Sequence, residues 1–252
     1  MRKLERESLS ESAAQRLRDR TLRISESAAG LTADAAQFQA KKDEAGRLWD
    51  QEGTVAFDEI EERLKRMAPG DGQCMYCESG EASHIDHFRP RATYPDRTYD
   101  WNNYLWACAV CNSNYKRDLF PLDEHNQALL INPVDEDPRE HLALSPKTGK
   151  YVGLTRKGTQ SIHIFGLGRG TLERSRKRAW NTVQAHVITY AVYCLRGDDE
   201  AALSMQHALC MHPHASVFYD LLQMLDTEGG PVFIARECID AIHAHPEIRS
   251  WV

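Results

Sequence analysis

No run in the sequence approaches the roughly 18 to 20 consecutive apolar residues that a membrane-spanning helix needs. The opening Met1-Arg2-Lys3-Leu4-Glu5-Arg6-Glu7 also lacks the apolar stretch of a secretory signal, so a cytoplasmic protein with no membrane partner is expected. An excess of positive charge is missing too: 37 acidic residues outnumber 31 basic ones, giving a net charge of −6 and a pI near 6.0. That balance excludes a protein that coats nucleic acid over its whole surface and leaves only local phosphate contacts. There is no internal repeat or low-complexity tract. At 252 residues, 42% hydrophobic and 27% charged, the chain is neither disordered nor fibrous and can build one large domain or two small ones.

Proline and cysteine are absent from residues 1–67, a stretch rich in Ala, Glu, Arg and Leu. Leu9, Ala13, Leu17, Thr21 and Ile24 recur there at helical spacing, so two or three helices are expected, with a stop at Ala29-Gly30-Leu31 and an N-cap at Thr32. The breakers Pro69-Gly70-Asp71-Gly72 then mark a boundary. Residues 72–122 change character, with two cysteine pairs and five aromatics between Tyr94 and Trp106. Loops and short strands are expected over 123–170, with residues 129–133 as strand and 146–151 as hairpin material. Helices are expected again over 171–196, 199–209, 214–226 and 232–243. The resulting division is an N-terminal helical arm (1–70), a central module (71–122), an extension (123–170) and a C-terminal helical region (171–252).

Seven cysteines are an odd number, and in a reducing compartment free thiols or a metal site are expected in place of disulfides. Cys74-Met75-Tyr76-Cys77 and Cys108-Ala109-Val110-Cys111 form two CxxC pairs, and two such pairs can grip a tetrahedral zinc ion from opposite sides. Thirty residues separate the pairs, so a substantial insert lies between them. Cys194, Cys210 and Cys238 sit in apolar helical stretches and read as buried free thiols.

The insert carries His84-Ile85-Asp86-His87-Phe88-Arg89-Pro90-Arg91, a strand-like run dense in groups that bind metals or move protons. Trp101-Asn102-Asn103-Tyr104-Leu105 leads into the second cysteine pair, which is followed by Asn112, Asn114, Lys116 and Arg117. Trp101, Tyr104 and Trp106 are expected in the core around the cysteines. A second basic run, Arg169, Arg174, Arg176, Lys177 and Arg178, opens the C-terminal helices as either a nucleic-acid contact or a solvated face.

The constellation of Asp86-His87, Asn103 and Asn112 between CxxC pairs resembles the HNH endonuclease family, in the subclass whose ββα-metal unit is stapled by structural zinc. The expected fold class is therefore mainly α with a small α+β part: a central ββα-metal module between helical arms. By that resemblance His87 is the general base, Asp86 and Asn112 hold a catalytic Mg²⁺ or Mn²⁺, and Asn103 braces the loop between the strands. Asn114 competes with Asn112 as the ligand. His84, by strand alternation on the face of Asp86, either joins the site, binds phosphate or packs as an ordinary strand histidine. Arg89, Arg91, Lys116 and Arg117 are candidate phosphate contacts.

Downstream, Phe120-Pro121-Leu122, Leu130-Ile131-Asn132-Pro133, Asp137-Pro138 and His141-Leu142 resemble the extended HNH proteins of bacterial anti-phage defence, including Septu-type and retron-associated systems. That resemblance implies an ABC/SMC-type ATPase partner and a nucleic-acid substrate, DNA first and RNA second. The alternative to a partner is that the helical arms simply enlarge the core or form a homodimer. A zinc-stabilised binding module without catalysis is the competing function, but binding alone needs neither Asp86-His87 nor the two asparagines. A CxxC redox protein is a poorer third, since thioredoxin-like βαβ patterning is absent.

Overall fold

A computed structural model describes residues 1–51, 55–80 and 82–251. Residues 1–9 form no helix or strand, and Met1 and Leu4 among them are buried. Leu4 N donates to Pro133 O at 2.8 Å, and Arg6 Nη1 donates to Tyr104 O at 2.9 Å. Helix α1 (Glu11–Glu26) starts where the Ser10 hydroxyl accepts from Ala13 N, and it turns Ala13, Leu17 and Ile24 inward. Helix α2 (Asp34–Trp49) begins at Ala33 without a side-chain cap, so the cap expected at Thr32 is not there. Helix α3 (Val55–Met67) stops at the turn containing positive-φ Gly70 and Gly72.

The central module is small. Strands β1 (His84–His87) and β2 (Tyr104–Ala107) pair antiparallel, with Asp86 opposite Leu105 and His87 opposite Tyr104. Met75 N donates to Trp106 O at 2.9 Å, which docks the first CxxC onto β2. The following helix, Val110–Lys116, is a wide π-type turn, closed by a 2.7 Å bond from Arg117 N to Asn112 O. Short π segments of this kind recur at functional sites. Tyr104 and Trp106 are buried, whereas Trp101 is half-buried and donates its indole N–H to Glu7 O at 2.8 Å.

Residues 129–133 do not form the expected strand. Leu130 and Ile131 are fully buried, but Ile131 N bonds the Ser161 hydroxyl at 2.8 Å, and Pro133 has no N–H for a ladder. Burial here produced an apolar run without sheet pairing. Strands β3 (Leu142–Ser145) and β4 (Lys150–Gly153) form the hairpin expected around 146–151. Helix α4 (Arg156–Ile164), capped by the Thr155 hydroxyl, falls where only loops and strands were expected. Its nine residues include Gly158, which lets the helix approach His141 O so closely that a Cβ would lie 1.9 Å from that oxygen.

Helices α5 (Gly170–Arg196), α6 (Asp199–Met211), α7 (Val217–Leu225) and α8 (Arg236–Ala244) lie close to the expected positions. They surround a second hydrophobic core, and Tyr151 of β4 packs on both cores. Cys238 is buried as expected. Cys194 and Cys210 are only half-buried, which corrects their reading as buried thiols. Among the described residues no helix is long and apolar enough to cross a membrane.

Candidate zinc site and catalytic cleft

Cys74, Cys77, Cys108 and Cys111 bring their four sulfur atoms within 4.8 Å of one another. Zinc–sulfur bonds of about 2.3 Å in a tetrahedron place thiolates about 3.8 Å apart, and the Cys77–Cys108 separation is 3.9 Å. The four thiols therefore fit a closed structural zinc. Arg169 adds an outer contact, with Nη1 and Nη2 at 3.6 and 3.5 Å from Cys111 Sγ.

Asp86, His87 and Asn112 line one cleft of about 240 Å³ together with Trp49, His84, Pro90, Arg91, Arg117 and Asp118. His87 Nε2 lies 2.9 Å from Thr98 O. A carbonyl only accepts, so Nε2 carries the proton and Nδ1 is left as the ring's basic atom. The Tyr104 hydroxyl donates to the same carbonyl at 2.7 Å and helps to fix it. The His87 ring lies 4.4 Å from that of Trp49 and 5.2 Å from that of Tyr104, both edge-on. Burial lowers the His87 pKa to about 4, opposed by the Thr98 contact and the Asp86 charge, so the imidazole is neutral at pH 7.

Asp86 is buried between two donors: the Tyr76 hydroxyl bonds Oδ2, and Lys116 Nζ lies 3.0 Å from Oδ1. Lys116 also donates to His87 O at 2.6 Å and is itself fully buried. This corrects its reading as a phosphate contact. A carboxylate has about four lone-pair positions, so two hydrogen bonds leave Asp86 able to accept a cation as well. Asn112 is half-buried in the cleft, whereas Asn114 is exposed and does not line it. His84 lines the cleft from an exposed position, with Nδ1 3.0 Å from the Ser83 hydroxyl.

Asn103 clamps the connection between the strands. Its Oδ1 accepts from Arg89 N at 2.7 Å, and its Nδ2 donates to Arg89 O and Arg97 O, both at 3.0 Å. Arg91 and Arg117 line the cleft, with the Arg91 guanidinium 5.8 Å from the Trp49 ring. Arg117 takes φ +49°, ψ −125°, backbone territory that favours glycine. Arg89 points elsewhere, over Tyr94 and Phe120 and into a neighbouring polar pocket. The second basic run is split. Arg169 is engaged at Cys111, and Arg176 is buried on Gly149 O and Leu167 O at 2.8 and 2.7 Å, while Arg174, Lys177 and Arg178 are exposed.

Residues 74–118 match the family model described as HNH endonuclease. The Septu protein PtuB of Bacillus mycoides (strain KBAB4) is 30% identical over 178 residues, covering 58% of this chain and 55% of that protein. The central segment is of the HNH family, and the chain is PtuB-like. PtuB of Bacillus thuringiensis is 26% identical over 113 residues, 42% of each chain. Protein ea31 of Escherichia phage lambda is 37% identical over 67 residues, 26% of this chain and 22% of that one. The chain spans about half the length of the PtuB relatives it matches. No solved structure matches.

Four residues around the HNH module escaped the sequence reading. Trp49 comes from a helix remote in sequence, and Thr98 contributes only a backbone carbonyl, so neither left a motif. Tyr76 sits inside the first CxxC and Asp118 just past the wide turn, where neither residue type nor spacing marks them among the adjacent cysteines and basic residues.

Proposed function

We propose that the chain is a metal-dependent HNH nuclease that hydrolyses phosphodiester bonds, DNA first among its substrates, as the effector of an anti-phage defence system. The observation that carries this reading is the convergence in one cleft of a neutral histidine with a committed Nε2–H, a buried carboxylate and a half-buried amide. In it, Nδ1 of His87 takes a proton from the attacking water as the bond from that oxygen to phosphorus forms and the bond to the leaving sugar oxygen breaks. Arg91 and Arg117 line the same cleft and would contact the phosphate oxygens. Bound to Asp86 and Asn112, a hard divalent cation such as Mg²⁺ or Mn²⁺ would supply charge neutralisation at the transition state. The four thiolates would keep zinc in a separate, structural position.

His87→Ala should abolish cleavage of plasmid, single-stranded DNA and RNA in Mn²⁺ while leaving zinc content and fold intact. Undiminished cleavage by the variant would remove His87 from the role of base.

The helical arms serve to dock a larger partner, and the PtuB likeness suggests a second defence subunit of the ABC/SMC ATPase kind. A net charge of −6 gives the chain little electrostatic grip on nucleic acid, so recruitment through a partner is consistent with its composition. Co-expression with a neighbouring ATPase followed by size-exclusion chromatography tests this. A chain that migrates alone and degrades DNA at full rate would stand as a self-sufficient nuclease.

A further inference from the structure

The loop between α4 and α5 joins the C-terminal helices to the HNH module, and it reaches both candidate cation ligands from behind. Phe165 is fully buried, its ring stacked on Tyr76 at 4.0 Å between centroids and 17° between planes. The Tyr76 hydroxyl in turn bonds Asp86 Oδ2. Four residues on, the Arg169 guanidinium sits 3.5 and 3.6 Å from the sulfur of Cys111, whose next neighbour in the chain is Asn112. Arg169 Nη1 also donates to Phe165 O at 3.1 Å, so the two contacts are tied to each other. The guanidinium lies 5.2 Å from the Tyr115 ring, and Gly166, at φ +61°, packs so tightly that a Cβ would fall 2.5 Å from that ring.

An N–H aimed at a thiolate ligand withdraws charge from the sulfur and fixes its direction, and outer contacts of this type orient metal ligands. Because Cys111 and Asn112 adjoin at the start of the wide turn, a displaced sulfur displaces the amide. Tyr76 acts likewise on Asp86, and only its hydroxyl does so, since the ring is already held by Phe165.

Resting on the nuclease reading above, we propose that Tyr76 and Arg169 are positioning residues for Asp86 and Asn112, and that the 165–169 joint makes the C-terminal helical region part of the catalytic apparatus. The full chain is compared with Tyr76→Phe, Arg169→Gln and Arg169→Lys. With Co²⁺ in the cysteine site, Arg169→Gln should move the sulfur-to-metal charge-transfer band to lower energy, and Arg169→Lys should restore part of the shift. Mn²⁺ affinity, read by electron paramagnetic resonance, should weaken about 10- to 100-fold in Tyr76→Phe and Arg169→Gln. Turnover should fall by a similar factor with the KM for DNA unchanged. A wild-type Co²⁺ spectrum in Arg169→Gln together with wild-type Mn²⁺ affinity in both variants would overturn the proposal. Should the wild type bind Mn²⁺ yet cleave nothing, the nuclease reading falls, while the spectrum and the Mn²⁺ affinity still decide the positioning roles. A wild type that binds no Mn²⁺ overturns both.

Discussion

Lys116 and Asp86 form an enclosed ion pair: Nζ is 3.0 Å from Oδ1, and neither side chain exposes more than 3% of its surface. The pair fastens the last residue of the wide turn to β1, the two elements that carry Asn112 and His87. Removing one partner of a buried pair strands the other charge in a low-dielectric interior, at about 3–5 kcal/mol. Lys116→Met should therefore lower unfolding free energy by about that amount in denaturant melts. A surface phosphate contact would instead change stability by less than about 0.5 kcal/mol, so the measurement separates the two roles.

Asn103 uses all of its amide on the backbone of the 88–97 loop, accepting once and donating twice. Asn103→Ala leaves buried backbone groups unpaired, at roughly 1–3 kcal/mol each, and should cut both stability and turnover while zinc content stays at the wild-type level. Asn103→Asp should be no milder, because a carboxylate oxygen would then face the Arg89 and Arg97 carbonyls. Full activity in either variant would mean the loop holds without its clamp.

One zinc per chain should be found by elemental analysis, lost in Cys108→Ser and on treatment with a strong chelator. Zinc affinity in small modules is also folding free energy, on the order of 10 kcal/mol, and the cysteines sit inside the first hydrophobic core. The expected result is insoluble or unfolded protein. Well-folded protein devoid of zinc would refute a structural role for the ion.

The parts of this molecule visible in the sequence are those whose function depends on residue type at a fixed spacing. Four thiols in two CxxC pairs, Asp-His at a strand end and the 3.6-residue rhythm of α5 to α8 are of that sort. Hidden parts depend on packing between distant segments. Lys116 reads as a phosphate contact until the fold encloses it beside Asp86. Arg169 reads as one of a basic run, yet the loop before α5 delivers it to Cys111. Residues 129–133 read as a strand because buried strand and buried loop have the same apolar composition. Helix α4 is not legible in the sequence because its glycine and polar residues weaken a nine-residue pattern, while the cap at Thr155 and the contact with His141 hold it.

The seam between the HNH module and the C-terminal helices sets a pH dependence of stability. His214 donates its backbone N–H to Glu78 O at 3.0 Å, and Asp220 lies nearby on α7. Burial raises Asp220 from 3.8 to about 7 and lowers His214 from 6.5 to about 4. Between pH 3.8 and 7 the folded state holds the Asp220 proton and the unfolded state does not, so this group costs stability as pH rises. For His214 the unfolded state holds the extra proton between pH 4 and 6.5, so stability falls as pH drops through that window, and His87 adds a contribution of the same sign. Asp220→Asn removes the opposing contribution. Its stability relative to wild type should grow by roughly 3 kcal/mol from pH 4.5 to pH 8, at about 1.4 kcal/mol per pK unit. His214→Asn, whose side chain tolerates the local φ of +63°, should soften the loss of stability below pH 6.5. Urea unfolding at pH 4.5, 6 and 8 measures both, and a difference between Asp220→Asn and wild type that stays constant with pH would show that the Asp220 carboxyl titrates alike in the folded and unfolded chain.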